Sequence, residues 1–455
     1  MSFGCVNRLS RRCFVITPVR HYYKNVLQLY ERGLYQDLFP SNASNEIADL
    51  LKSPQCVYAG FDPTADSLHV GNLLILMGLL HWQRAGHHVI ALVGSATAAI
   101  GDPSGRSTSR PTLAAPILQE NAEGLRANIQ QVFDNHRKYF WTSSRPLGRF
   151  TLVDNAEWLE RESAAAFVAG AGRHMRLGQL LSRESVRARQ ASDAGLSLAE
   201  LCYQAFQAYD WLHLYRAHGC RFQLGGADQM GNINTGHELI SRAEDARVYG
   251  LTMPLVTTEE GDKLGKSAGN AVWLSAARTS PFQLYQFLLR AKDADAGRLL
   301  RLLTLEAEAE VRALLDAPAE RRLPQRRLAQ RVTTLVHGER GLAEARATSD
   351  ALYGGSIEAL ARLSPGDAVA ALRGAALRRL PLRADVTALE LALAAGCFAS
   401  EEDARRVMAA GGFYLNHQRV REPGEVLTRA VHILPNNLSL VRVGKKNYYV
   451  VEWLA

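Results

Sequence analysis

The chain predicts an α/β protein: a doubly wound parallel sheet, then a helical region, then a small α+β unit. Three observations carry that expectation. Between residues 56 and 93 two apolar, β-prone runs flank one long apolar helical run, and strand–helix–strand at that spacing is a βαβ unit with parallel strands. Strand-like runs end in glycines or polar residues, as strands do where they open onto a ligand crevice. Near residue 290 the strand signals stop and Ala, Leu, Arg and Glu dominate. The 455 residues accommodate about three folding units at roughly 150 residues each.

Taken in order, Cys56 to Ala59 reads as a buried strand and Gly60-Phe61-Asp62-Pro63 as a turn. Val70 to Arg84 is too continuously apolar for a surface helix, so it should lie on the sheet; Gly86 ends it. His88 to Val93, Phe150 to Asp154 and Arg221 to Gly226 are the next strands. This body is expected over residues 31–290. Residues 291–375 form the helical region, with a basic knot that includes Arg326 and Arg327. Residues 376–384 read as a linker, and residues 383–455 as the third unit. There Ser400 can cap a helix whose first turn holds Glu401, Glu402 and Asp403. Short strands follow at Phe413, Leu440 and Asn447.

Composition narrows the class. Hydrophobic residues are 47% and charged residues 22%, a globular balance that excludes whole-chain disorder, collagen and a disulfide miniprotein. The longest apolar run, Leu73 to Leu80, is far below the roughly 20 residues of a membrane span. Lys and Arg number 53 against 45 acids, a net +8. Arg8, Arg11, Arg12, Arg20 and Lys24 precede the first acid, Glu31, and without them the excess is only +3. An Arg-rich, acid-free, Ser-containing start predicts a mitochondrial presequence over residues 1–30 and a place in the matrix; the alternative is a basic arm that touches RNA. The six cysteines form no C-x-x-C pair, so neither a zinc ribbon nor a disulfide framework is expected, and the thiols should be free and mostly buried.

Two segments carry chemistry. His69 to Asn72 sit where a strand gives way to a buried helix, whose free N–H groups and dipole attract phosphate. Gly71 would let a nucleoside approach the backbone. Alone, His-x-Gly is more often packing than function. In Gly261 to Asn270, Lys263 and Lys266 flank a glycine in a glycine-bounded loop. Such a loop is either a solvated surface turn or a clamp on phosphate, for which the compact charge and flexible stem of Lys are suited.

Together these segments resemble the signatures of class I aminoacyl-tRNA synthetases. His69-Val70-Gly71-Asn72 is similar to their His-Ile-Gly-His, and Lys263-Leu264-Gly265-Lys266-Ser267 to their Lys-Met-Ser-Lys-Ser. Four further strings, at residues 60–69, 96–105, 207–210 and 225–232, resemble the tyrosyl-tRNA synthetases of bacteria and mitochondria, in that family's order. The likeness spans about residues 50–455.

The resemblance implies a Rossmann-like catalytic domain and two steps: tyrosine and ATP form tyrosyl adenylate and pyrophosphate, and the tyrosyl group then passes to tRNA(Tyr) with release of AMP. ATP is a substrate, with Mg2+ on its phosphates; no resident metal or organic cofactor is implied. Carried over position by position, Tyr58 and Asp210 would bind the substrate phenol. Asp102, Tyr203 and Gln207 would take its ammonium, and Gln229 would lie near its carboxylate. Gly60, Asp62, Gly71 and Asp228 would contact the nucleotide. Thr64, His69, Asn72, Lys263, Lys266 and Ser267 would serve the phosphates, helped by Arg106 and Arg110. Asp154 and Asn155 lie at another strand end and are either near the substrate or a plain turn.

Three positions depart from the family pattern: Asn72 for a second His, Ala59 for a polar side chain near the ribose, and Met230 for Trp. The third unit resembles an RNA-binding module in which Arg405, Arg406, Arg419, Arg421, Lys445 and Lys446 would meet tRNA phosphates, with further contacts from the helical domain. The family also implies a homodimer. Rival readings are the tryptophan enzyme, a non-catalytic RNA-binding protein and a small-substrate nucleotidyltransferase. Tyr58 with Asp210, the retained His69, Lys263 and Lys266, and the RNA-binding module count against them respectively.

Overall fold

In the computed structural model, residues 26–105, 113–193, 195–255, 266–267, 270–353, 361, 376–444 and 447–454 are described. Lys263, Arg106, Arg110, Lys445 and Lys446 lie outside them, and Lys266 and Ser267 are described in backbone only.

The main sheet has six strands: β1 (Asp37–Phe39), β2 (Cys56–Phe61), β3 (His88–Val93), β4 (Phe150–Asp154), β5 (Cys220–Gly226) and β6 (Tyr249–Met253). Their spatial order is β1-β6-β5-β2-β3-β4. All neighbours are parallel except β1 against β6. The chain winds outward from β2 through β3 and β4, then returns to the other side of β2 with β5. The order therefore reverses between β2 and β5, and an open α/β sheet binds ligands at that switch point, beyond the carboxyl ends of the strands.

The expected strands and the Val70–Arg84 helix are present. That helix, α1, buries nearly its whole circumference, from Val70 through Trp82. A helix apolar all round belongs inside. The crossovers and flanks are α2 (Ser95–Ile100), α3 (Ala115–Asn135), α4 (Ala156–Leu159), α5 (Leu198–His218) and α6 (Met230–Glu244). Between β6 and the helical region β7 (Lys266–Ser267) pairs antiparallel with β8 (Asn270–Ala271), and the helical region holds α7 (Pro281–Leu289), α8 (Asp293–Leu303), α9 (Glu308–Leu315) and α10 (Leu323–Tyr353). Helix α10 breaks at Gly338, where φ is 71°. There Asn135 of α3 donates to the Leu335 carbonyl at 3.0 Å, so the catalytic body supplies a partner beside the break.

Two boundary expectations are corrected. Residues 376–384 do not act as a loose link: Ala376–Pro381 is strand β9, paired in parallel with the last strand of the terminal sheet. Its Ala-Leu-Arg-Arg-Leu-Pro sequence lacks clean alternation because it is an edge strand with exposed charges. The terminal sheet runs β11-β10-β12-β13-β9, from β10 (Phe413–Leu415), β11 (Gln418–Val420), β12 (Leu438–Val443) and β13 (Asn447–Leu454). Helices α11 (Ala388–Ala394) and α12 (Glu401–Ala409) pack with it around Leu391, Met408, Phe413 and Trp453.

The second correction concerns the start of the folded body. Residues 26–30, assigned to the presequence, form a short 3-10 turn whose Val26 and Leu29 are fully buried. Just beyond, buried Arg32 donates to the carbonyls of Thr304 and Glu306, both at 2.6 Å, at the end of α8. A cation there meets the negative end of the helix dipole. A chain beginning at residue 31 should lose the burial of two apolar side chains, about 3–6 kcal/mol. Its thermal midpoint should fall by several degrees relative to a chain beginning at residue 25; equal midpoints would refute this packing role.

Buried histidines set the response to acid. Burial pushes His87 and His337 down to about 4 and, with Arg84 nearby, His136 to about 3. His81 is pushed down by burial and by Arg32. Each is neutral in the folded chain at pH 7. Between pH 6.5 and these lower values the unfolded chain binds protons that the folded chain refuses, so stability falls on acidification. At pH 5 each such histidine costs up to about 2 kcal/mol. The thermal midpoint should drop steadily from pH 7 to pH 5; a flat profile would contradict the assignment.

Candidate active site

A cavity of about 470 Å³ opens at the switch point. It is floored by Gly60 and Phe61 from the end of β2 and by Gly225 and Gly226 from the end of β5. Tyr58, Asp210, His69, Gly71 and Trp273 line it, together with Asp62, Thr64, Asn72, Asp102, Tyr203, Gln207, Asp228 and Gln229. The described residues assigned to tyrosine and nucleotide thus share one cavity. Ala271, the register partner of Lys266, also lines it, which brings the end of the two-lysine loop to its rim.

The surroundings of Asp210 are polar and buried. Asp210 is 2% exposed and accepts from Asn155 Nδ2 at 3.0 Å and Trp158 Nε1 at 2.8 Å. Burial pushes its carboxyl up to about 8, against the pull of these two donors and with Asp62 and Asp154 adding repulsion. The Tyr58 hydroxyl is buried with no partner among the described residues. Burial and the nearby Asp210 hold its proton on. A buried carboxyl and an unsatisfied hydroxyl are costly without a ligand and complementary to a phenol. Asn155 is therefore no plain turn residue. It also donates to Thr97, which donates to Asp62, which accepts from Tyr203 at 2.7 Å. Trp158 was not singled out from the sequence; an indole in a short helix after a strand carries no signal of its own.

A second network lies beside it. Gln229 donates to Asp102 at 2.8 Å, while Asn232 reaches both Gln229 and Gln207. Asp102 also takes the Ser104 N–H at 2.9 Å. Asn232 is the member that sequence reasoning missed. These acceptors face a space that suits an ammonium group.

His69 caps α1. Its Nδ1 accepts from the Asn72 N–H at 3.2 Å, and the Asn72 side chain accepts from the His69 N–H at 3.1 Å. Asn72, a departure from the family pattern, is thus half of a reciprocal cap. Because Nδ1 is an acceptor, the neutral ring carries its proton on Nε2, as a donor. A Cβ on Gly71 would come within 2.9 Å of His69 Cε1, so glycine there keeps room for the imidazole. The stem of the two-lysine loop is joined to the same stretch. His69 pairs with Trp273 as an antiparallel bridge, Val70 N–H donates to the Val272 carbonyl and Leu274 N–H to that of Leu68. Arg278 lies over Trp273 at 4.4 Å and pairs with Asp66. Ala59 is fully buried in the core and does not line the cavity.

The proposed RNA contacts are more mixed. Arg405 pairs with Glu401 at 2.7 Å and Arg406 with Asp403 at 2.7 Å on their own helix, which offsets their charge. Arg419 bonds the Tyr414 hydroxyl at 2.9 Å, and Arg442 stacks on that ring at 3.8 Å. Arg421 and Arg326 are exposed, whereas Arg327 pairs with Glu306 at 3.4 Å. Among the described residues no group of three or more His, Cys, Asp or Glu side chains is arranged to hold a metal ion.

Comparison with known proteins places the chain among relatives of one family. The family described as tRNA synthetases class I (W and Y) matches residues 51–354. A protein of Drosophila melanogaster named "Tyrosine--tRNA ligase, mitochondrial" is 51% identical over 438 residues, 94% of each chain. Its human namesake is 45% identical over 432 residues, covering 93% of this chain and 90% of its own. "Tyrosine--tRNA ligase" of Roseiflexus castenholzii is 39% identical, covering 93% and 98%. Among solved structures, a C-terminally truncated Aspergillus nidulans mitochondrial tyrosyl-tRNA synthetase superposes with a TM-score of 0.64 at 29% identity, over 70% of this chain and 91% of its own. With the family match over residues 51–354 and relatives at this identity over nearly the full length, the chain belongs to the tyrosine–tRNA ligases of the class I tRNA synthetases.

Proposed function

We propose that the protein charges mitochondrial tRNA(Tyr) with L-tyrosine, using ATP. The observation that carries this reading is a single cavity lined both by a buried carboxyl–hydroxyl pair and by a helix N-terminus bearing His69. Tyrosine would enter with its phenol between Tyr58 and Asp210 and its ammonium among Asp102, Tyr203 and Gln207. Gln229 would sit near its carboxylate. ATP would lie along Gly60, Asp62 and Gly71, with its ribose on Asp228.

A tyrosine carboxylate oxygen then attacks the α-phosphorus, and the bond to the bridging oxygen of pyrophosphate breaks. Nothing in this transfer needs a covalent enzyme intermediate; position and charge suffice. The Nε2–H of His69, the N-terminal amides of α1 and the hydroxyl of Thr64 would meet negative charge on the leaving phosphates, with Lys263, Lys266, Ser267, Arg106 and Arg110 completing the set. Mg2+ would arrive on the phosphates rather than in a cage of the protein. In the second step a ribose hydroxyl of the tRNA attacks the adenylate carbonyl carbon and AMP leaves.

The terminal α+β unit, now bounded by β9, and the helical region would hold the tRNA through phosphate contacts that position without reading sequence. We place the enzyme in the mitochondrial matrix and infer a homodimer, supported by exposed Val168 and Leu177 on the excursion between β4 and α5 and by exposed Leu198 at the start of α5. The test is tyrosine- and ATP-dependent charging of tRNA(Tyr). Formation of the adenylate without charging, or charging with tryptophan, would overturn the reading.

A further inference from the structure

Away from the cavity, at the opposite ends of the same strands, four reactive side chains meet that the proposed chemistry does not use. Cys56 opens β2 and Cys220 opens β5, and the two are register partners on adjacent parallel strands. On its other side Cys56 is the register partner of His88, whose Nδ1 lies 3.5 Å from Cys56 Sγ. His88 is held by Thr151 Oγ1 at 2.9 Å and meets His218 edge-on, ring centres 5.7 Å apart. Both thiols are free. They differ sharply: a hydrogen bond from Cys220, then His88, draws the Cys56 thiol below its ordinary value despite burial, whereas burial pushes Cys220 well above. The arrangement is one incipient thiolate with one protonated thiol beside it. The remaining described cysteines, Cys202 and Cys397, are raised by burial.

We propose that Cys56 and Cys220 form a peroxide-oxidisable pair, joined reversibly as a disulfide between β2 and β5. The Cys56 thiolate attacks one oxygen of hydrogen peroxide; the S–O bond forms as the O–O bond breaks. The sulfenic acid of Cys56 results, and the released hydroxide takes the proton that the thiol gave to His88. The Cys220 sulfur then attacks the Cys56 sulfur. An S–S bond forms, the S–O bond breaks, and the oxygen leaves as water with the Cys220 proton. Two thiols lose two electrons, and one peroxide yields two waters. Attack requires the thiolate and access. Cys56 is 5% exposed and Cys220 0%, so a small uncharged oxidant is favoured over a bulky disulfide such as oxidised glutathione. Strand pairing already holds the two residues side by side, so the second step is intramolecular.

The experiment uses the full chain. The purified protein is exposed to a few-fold molar excess of hydrogen peroxide, alkylated, and mapped by mass spectrometry without reduction. A peptide linking Cys56 to Cys220, abolished by dithiothreitol, is the expected result. Oxidised glutathione at the same excess should give far less of it. In Cys220→Ser, Cys56 should instead accumulate as a sulfenic acid trapped by dimedone. Oxidation centred on Cys202, Cys56 alkylated as fully as without peroxide, or a product unchanged by Cys220→Ser would each overturn the proposal. Because the link is read in the native sequence, instability of the serine variant leaves the result decisive.

Discussion

Replacing Asp210 by Asn should lower kcat/KM for tyrosine by about 100- to 4,000-fold while leaving the protein folded. The two oxygens of Asp210 each face a fixed donor, Trp158 Nε1 at one and Asn155 Nδ2 at the other. An amide can present an oxygen to only one of them. Its NH2 must then confront the other donor, and the phenol loses a potentially charged acceptor. A hydrogen bond to a charged group is worth about 1.5–3 kcal/mol and a stranded buried donor costs about 1–3, which together reach about 3–5 kcal/mol. Folding should tolerate the change, because the carboxyl is already destabilised by burial and a neutral amide carries no such penalty. The measurements are ATP–pyrophosphate exchange against tyrosine concentration, and thermal unfolding. The same variant should narrow the preference for tyrosine over phenylalanine, since the phenylalanine complex never used the acceptor. A change in kcat/KM below about threefold with intact folding would remove Asp210 from the pocket.

Much of this site could be read from the amino-acid string because phosphate and phenol binding leave local marks. Helix α1, strand β3 and the capped His69 follow from a few adjacent residues, and the glycine-terminated β5 advertises a strand end at a crevice. What could not be read was whatever depends on partners far along the chain. Trp158 and Asn232 matter only because folding brings them to Asp210 and Gln207, 52 and 25 residues away. Strand β6 is a buried run of five residues and β1 a partly exposed run of three; runs that short have no decisive period. Residues 376–381 read as a linker because edge pairing with β13, not their own pattern, makes them a strand. Val26 and Leu29 read as leader because a basic, acid-free composition cannot say where burial begins. Asn72 looked like a weakened phosphate ligand, and its backbone cap appears only when the helix start is seen.

The largest stability effect of a single substitution should come from Arg189, which never looked functional. Arg189 and Glu200 are nearly fully buried, with side chains 1% and 7% exposed. They meet through two parallel bonds, Nε to Oε1 at 3.0 Å and Nη2 to Oε2 at 3.2 Å. Glu200 also accepts the Ser197 N–H at 3.0 Å, closing the capping box of α5. Arg189→Ala leaves that carboxylate buried and uncompensated, at a cost of about 3–5 kcal/mol. Arg189→Lys should recover only part of this, since a point charge cannot reproduce the fork. Burial raises the Glu200 carboxyl, but Ser197 and Arg189 outweigh it and hold the group below its ordinary value. Its contribution is therefore fully present above the ordinary value of 4.5 and is lost as pH falls from there through the lower value of the folded state. The damage should extend to substrate, because α5 carries Tyr203, Gln207 and Asp210 into the cavity. A frayed α5 start lies one turn from Tyr203, so KM for tyrosine should rise more than KM for ATP. Thermal unfolding and a two-substrate kinetic series on Arg189→Ala and Arg189→Lys decide the matter. If both variants unfold like the parent, the pair adds nothing to the fold; if both KM values rise equally, α5 is not the element it braces.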